Sequence, residues 1–177
     1  MASQWPPTPQ QVGEGAAGDR QVMSDILTLG YPKVVAFYRG LGLAYHEAQD
    51  LAGDVAVSVV EGLSRIRQPA AFEAWFWSVA RNHFKAFLRR RRRVAFEPVT
   101  PESMRPDEVL MTAGEHGQIA AAFGLLSPKD RQLLWLREVE ELSHDQIADI
   151  TQQTAGATRV AIHRARQRLS DLYQQLE

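Results

Sequence analysis

Two aromatic side chains interleaved with cations, Trp77, Arg81, Phe84 and Lys85, lead into five successive arginines, Arg89 to Arg93. Aromatic rings stack on unpaired bases and cations track phosphate, so this set has the composition of a single-stranded nucleic-acid platform. At about 100° per residue, Trp77, Arg81, Phe84, Lys85 and Leu88 fall opposite an apolar stripe of Phe72, Trp75, Phe76, Val79 and Phe87. The stripe reads as core. A merely solvated face has no need of large aromatics, which leaves nucleic acid or a second buried interface as their partner. Five adjacent arginines repel one another unless phosphate or carboxylate neutralises them. A disordered basic linker is another reading, as is favourable charge at a helix C-terminus, although the latter uses one or two arginines and not five. His83 falls within the apolar stripe and is expected to be a partly buried structural histidine.

Two further faces carry chemistry. Glu47, Asp50, Asp54 and Glu61 project within an arc of roughly 60° on one helix, while Ala48, Leu51, Ala52, Val55, Val59 and Leu63 point the other way. That stripe is either a solvated helix face or a docking surface for a basic partner. Near the C-terminus Thr158, Ile162, Ala165, Leu169 and Leu172 follow buried-stripe spacing, which turns Gly156, Arg159, Val160, His163, Arg164 and Gln167 outward. Arginine and glutamine can make paired hydrogen bonds to base edges, and open amides at a helix start near Thr154 can hold phosphate.

The formal net charge of −1 argues against nucleic-acid binding only if charge is evenly spread. Seven of the 20 Lys and Arg lie between Arg81 and Arg93, a stretch with no acid, so the balanced total hides a segregated dipole. The absence of cysteine excludes disulfides and a thiolate zinc site. His46-Glu47 does not extend to a second histidine at metal spacing, His116 and His144 have no evident partners, and no phosphate loop or nucleophile motif occurs. No enzyme activity, metal or cofactor is therefore expected. Met1 to Arg20 lack the pattern of a signal peptide, and no apolar segment approaches the roughly 20 residues that span a bilayer. Cytoplasmic residence is the expectation.

The elements that must position these faces are helices. Residues 1–21, with Trp5-Pro6-Pro7, Pro9, Gly13, Gly15 and Gly18, are expected to be a disordered leader. Helical periodicity covers 22–93, and residues 94–117, with Pro98, Pro101, Pro106 and several acids, read as a flexible linker. It resumes over 118–177. There Ser127-Pro128 starts one helix, Ser143 and Gln146 stand at capping-box spacing on a short second, and Thr154 can cap a third through Leu172. The expected fold is all-α: two small helical domains on a flexible linker, the C-terminal one a helix-turn-helix whose second helix enters the major groove.

The order of these faces and a set of residue strings resemble the extracytoplasmic-function (ECF) class of bacterial sigma factors from about Leu27 to Tyr173. The strings are His46-Glu47-Ala48-Gln49-Asp50-Leu51-Ala52, Phe72-Glu73-Ala74-Trp75-Phe76 leading to Val79-Ala80-Arg81-Asn82, and the arginine run. They continue with Leu126-Ser127-Pro128, Leu136-Arg137-Glu138, Leu142-Ser143-His144-Asp145-Gln146-Ile147-Ala148 and His163-Arg164-Ala165-Arg166. The resemblance implies that the acidic helix docks on core RNA polymerase, Asp50 and Asp54 meeting a basic coiled coil of the largest subunit. It implies that the Phe72 to Leu88 helix and Arg89, Arg90 and Arg91 help melt the upstream-of-start promoter element, with Asn82 near a flipped base. The last helix would read the distal element through Arg159, Val160, His163 and Arg164. The linker would thread near the RNA exit path, and the second domain would meet the polymerase flap. An anti-sigma partner is expected by analogy.

The chain departs from the pattern at Ala86, where the family usually has Asp, and at Gln152-Gln153, where it has glycine and an apolar residue. Thr158 likewise replaces an apolar residue early in the recognition helix. A stand-alone regulator or RNA-binding adaptor using the same basic faces is the alternative, and it predicts steep salt dependence of binding without polymerase.

Overall fold

Capping chemistry sets where the helices begin. Thr8 and Gln11 form a reciprocal capping box and Pro9 occupies the first helical position, which starts α1 (Pro9–Ala16). Asp19 accepts from the Gln21 and Val22 amides at 2.9 and 3.1 Å and starts α2 (Arg20–Gly40). α3 (Tyr45–Gly62) begins where the Ala44 amide donates to Glu47 Oε2 at 3.1 Å. Two 3₁₀ turns, Leu63–Arg65 and Pro69–Ala71, join it to α4 (Phe72–Val94). The computed structural model describes residues 4–94 and 115–176, and no strand occurs among them.

The second half opens with α5 (Glu115–Leu125). Ser127 caps α6 (Pro128–Leu134), which runs into one turn of π-helix, Trp135–Val139. The Ser143–Gln146 capping box starts α7 (His144–Thr151), and α8 spans Ala155–Leu176. Thr154 caps α8 by accepting from the Ala157 amide at 3.1 Å. All-α architecture with a C-terminal helix-turn-helix is what the periodicity predicts.

The expected disordered leader is not what the structure contains. Val12 is fully buried, and the Trp5 indole stands edge-on to Phe76 at 4.6 Å and Phe72 at 5.9 Å. Glycine and proline density hid a short helix because its contacts lie on α2 and the 3₁₀ turns, not within the segment itself. Of the expected linker, 95–114 lies outside the described residues, and Glu115 to Gly117 belong to α5.

The first half packs α2 against α3 and α3 against α4, around Phe37, Tyr38, Leu51, Val55, Val59 and Phe84. In the second half α8 packs on α5, α6 and α7. The two halves also meet. Trp135 lies against Gly40 and 6.4 Å from Phe37, α7 runs along α4, and Lys33 pairs with Glu140 at 2.9 Å. The Glu140 side chain is 3 % exposed, so its carboxylate sits within the seam.

Candidate functional site

α4 is covered on two sides, by α3 and the Phe37 and Tyr38 rings of α2 on one and by α7 on the other. This widens and turns its buried arc relative to the one read from Phe72, Val79 and Phe87. Trp77 is 0 % and Phe84 2 % exposed. Trp77 packs at 5.3 Å on both Phe37 and Phe76, and Phe84 stacks at 6.1 Å on Tyr38. Both are core residues, and their assignment to an exposed aromatic face is overturned: the second buried interface is the correct alternative for them. Tyr38 donates to the Ala80 carbonyl at 2.8 Å, and burial, reinforced by the Asp54 charge, holds its phenol protonated far above the ordinary range.

Arg81 also lies elsewhere than expected. Its guanidinium is half-buried and Nη2 points at the Thr151 carbonyl, 3.4 Å away, at the C-terminal end of α7. Burial lowers its pKa from the ordinary value. In this arrangement Arg81 turns to the seam and is only partly open to solvent. His83, read as a partly buried structural histidine, is that: its Nε2 lies 2.8 Å from the Ser58 hydroxyl.

The side of α4 that does face solvent carries Asn82, Lys85, Arg89 and Arg90. Arg91 is half-exposed, 5.9 Å from the Phe87 ring centroid and 3.7 Å from Glu47. Trp75, Asn82 and Arg89 recur every seven residues, two helical turns, so the half-buried Trp75 lies at the head of the same face. The Trp75 ring rests on Gly62, where an added Cβ would stand 2.7 Å from it. With Arg65, Ile66, Arg67 and Gln68 it lines a hollow of about 300 Å³. Sequence reading missed Arg65, Arg67, Gln68 and Trp75. The seven-residue repeat from Trp75 was legible, but the arginines of the 3₁₀ turns carry no helical period.

On α3, Asp50, Asp54 and Glu61 are exposed on one side, whereas Glu47 is half-buried, accepting from Ala44 and approaching Arg91. Beside the acids Val57 and Val60 are 58 % and 48 % exposed. A face that is only solvated does not require two exposed valines, and acids flanked by them suit a protein partner.

On α8, Arg159, Val160, His163, Arg164 and Gln167 all face solvent, and Gln167 donates to Asp171 at 3.0 Å. Ile162 and Ala165 are buried beneath them. The helix is held by paired hydrogen bonds from Arg168 to Asp130 at 2.9 and 3.0 Å, while Asp130 also accepts from the Ser127 hydroxyl. The turn before α8 closes without glycine. Gln152 adopts the left-handed conformation with φ 57°, and the Gln153 amide donates to the Ala148 carbonyl at 3.0 Å. An apolar groove of about 570 Å³ lies between α5, α8 and the π-turn, walled by Ile119, Phe123, Trp135, Val139, Leu169 and Tyr173. Among the described residues no cluster of His, Cys, Asp or Glu could hold a metal, and no helix is long and apolar enough to cross a membrane.

Residues 28–94 match the Sigma-70 region 2 family and 116–169 the Sigma-70 region 4 family. The chain is 30% identical over 171 residues to the ECF RNA polymerase sigma factor SigD of Mycobacterium tuberculosis, covering 90% of this chain and 81% of that protein. It is 29% identical over 133 residues to the ECF RNA polymerase sigma factor SigE of Mycolicibacterium smegmatis, spanning 71% of this chain and about half, 51%, of that one. Two solved structures share the fold. CnrH in complex with the cytosolic domain of CnrY superposes with TM-score 0.71 at 18% identity, covering 94% of this chain and 97% of that one. The sigma factor RpoE in complex with the anti-sigma factor NepR from Bartonella quintana gives 0.68 at 21% identity, covering 85% and 96%. With both sigma-70 regions in order and a relative 30% identical over 81% of its length, the chain belongs to the ECF RNA polymerase sigma factors.

Proposed function

We propose that this sigma factor docks on core RNA polymerase through the α3 acids, holds unpaired promoter DNA along the exposed side of α4, and reads duplex DNA with α8. The observation that carries this reading is the segregation of exposed charge: acids with Val57 and Val60 on α3, cations on α4 and α8. Asp50, Asp54 and Glu61 meet a basic polymerase surface. Asn82, Lys85, Arg89 and Arg90 track the opened strand. Trp75 takes the stacking role first given to Trp77 and Phe84, and the hollow beside it, rimmed by Arg65, Arg67 and Gln68, receives an unstacked base. Arg159, Val160, His163, Arg164 and Gln167 face the major groove, with Thr154 at the helix start near phosphate.

The α5–α8 groove is apolar enough to take a helix of the polymerase flap. Arg81 can reach phosphate only if the α4–α7 seam opens. The chain acts as a non-catalytic subunit, in the cytoplasm where the polymerase works, and an anti-sigma protein is its regulator, as the complex of the Bartonella quintana protein with NepR suggests.

Run-off transcription tests the reading. Core polymerase plus this chain should initiate from a cognate promoter, and Asp50→Ala with Asp54→Ala should weaken core binding by about tenfold, roughly 1.4 kcal/mol. Tight, specific binding to promoter duplex in the absence of core, with no core binding, defeats it.

A further inference from the structure

The 3₁₀ connection between α3 and α4 is held at both ends by the N-terminal segment. At its start, Leu63 is fully buried and its Cδ2 lies 3.1 Å from where a Cβ on Gly15 of α1 would stand. At its far end, the Trp5 indole stands edge-on to Phe72 and Phe76, and Phe72 in turn lies 6.0 Å from Trp75. Trp5 gets this close because Gly30 of α2 has no side chain; a Cβ there would meet the Trp5 and Phe76 rings at 3.0 Å. Val12, fully buried, anchors α1 between the two ends.

The connection has little of its own to fix it. Its turns are closed only by short-range backbone bonds, Ile66 amide to Leu63 carbonyl at 3.1 Å, Ala71 amide to Gln68 carbonyl at 2.9 Å and Phe72 amide to Pro69 carbonyl. Segments with few buried contacts open at low cost, and positioning errors of about 1 Å are enough to lose a bound group's geometry. What α1 and Trp5 hold in place is therefore the hollow lined by Arg65, Arg67, Gln68 and Trp75.

We propose that Trp5 and α1 are a positioning device for residues 63–71: by clamping Leu63 and Phe72 they fix the hollow that takes an unpaired base, and so set the efficiency of promoter opening without touching DNA. This rests on the assignment of that hollow to opened DNA. Trp5 is a positioning residue, and its role is separable from folding because it acts only where strands must be parted.

The test uses the full chain with core polymerase on two templates, a duplex promoter and the same promoter with a mismatched, pre-opened bubble over the upstream-of-start element. Trp5→Ala and the milder Trp5→Leu should lower initiation on duplex by about tenfold, with a much smaller loss on the bubble and unchanged core binding. Trp5→Phe should restore duplex initiation. Amide exchange in Trp5→Leu should quicken within 63–71. Equal losses on both templates, or unchanged exchange there, overturn the proposal and leave Trp5 a fold-stabilising residue. Arg65→Ala with Arg67→Ala separates the two layers. If that pair leaves duplex initiation intact, the assignment of the hollow fails and the proposal with it; if it lowers initiation while both Trp5 variants do not, only the positioning role fails.

Discussion

Thr158 is fully buried and its hydroxyl has no hydrogen-bond partner, at a position where the family carries an apolar side chain. Leaving a buried hydroxyl unpaired costs about 1–3 kcal/mol. Gln152 takes the left-handed conformation that glycine adopts freely, at about 1 kcal/mol or more for a residue with a Cβ. Thr158→Val and Gln152→Gly should therefore each raise stability in urea denaturation by about 1 kcal/mol, with promoter binding unchanged because neither side chain lies on the outward face of α8. A loss of stability in either variant contradicts this account of the turn. The departures from the family pattern thus leave the helix-turn-helix geometry intact at an energetic cost local to two side chains.

α4 shows why one helix can hold two kinds of residue that look alike in sequence. Trp77 and Lys85 are both on the side away from the Phe72 stripe, yet one is in the core and the other in solvent. Trp77→Ala should cost about 3–5 kcal/mol of stability, the usual range for emptying a buried indole site. Lys85→Ala should change stability by less than about 0.5 kcal/mol, and should weaken promoter binding by the holoenzyme with the salt slope reduced by about 1. Denaturation paired with binding across a salt series separates the two. If Lys85→Ala leaves the salt slope unchanged, Lys85 does not face phosphate.

At the scale of the whole molecule the seam between the halves is the property to test. Gly40 admits the Trp135 ring, and any Cβ there would overlap it. Alanine would otherwise favour the end of α2, so a disruptive Gly40→Ala reports on the seam alone. Because the chain has no cysteine, dyes can be placed at Ser64→Cys and Gln174→Cys, both exposed. Energy transfer between them should fall in Gly40→Ala; unchanged transfer means Trp135 does not hold the halves together. Glu73 gives the seam a pH dependence. Burial, with Glu140 nearby, raises its pKa against the opposing effects of the Gln146 hydrogen bond and Lys33. The folded chain thus keeps a proton that the unfolded chain releases, so this contribution is complete below the ordinary glutamate value of about 4.3 and is lost as pH rises through the higher folded value. Glu73→Gln should flatten the thermal midpoint against pH over that window.

The exposed cations Lys85, Arg89 and Arg90 of α4, the caps at Ser127, Ser143 and Thr154, and the two-region organisation were legible in the chain because they depend on spacing along single helices. Asp50, Asp54 and Glu61 of α3 and the outward residues of α8 needed nothing more, since each of those helices has one dominant buried side, whereas Glu47 turns in toward Ala44 and Arg91. Three matters depended on contacts between segments distant in sequence. Trp77 and Phe84 lie inward against Phe37 and Tyr38, and Arg81 turns to α7, because α4 is flanked by α3 on one side and α7 on the other, and a single helical period cannot encode a helix buried on two sides. Residues 9–16 start on a local capping box but are held by burial of Val12 and by Gly15 lying beside Ile26 and Leu63, contacts that local propensity cannot encode. And Arg65 and Arg67 join the Asn82 face only because two 3₁₀ turns, clamped from outside, bring them beside Trp75.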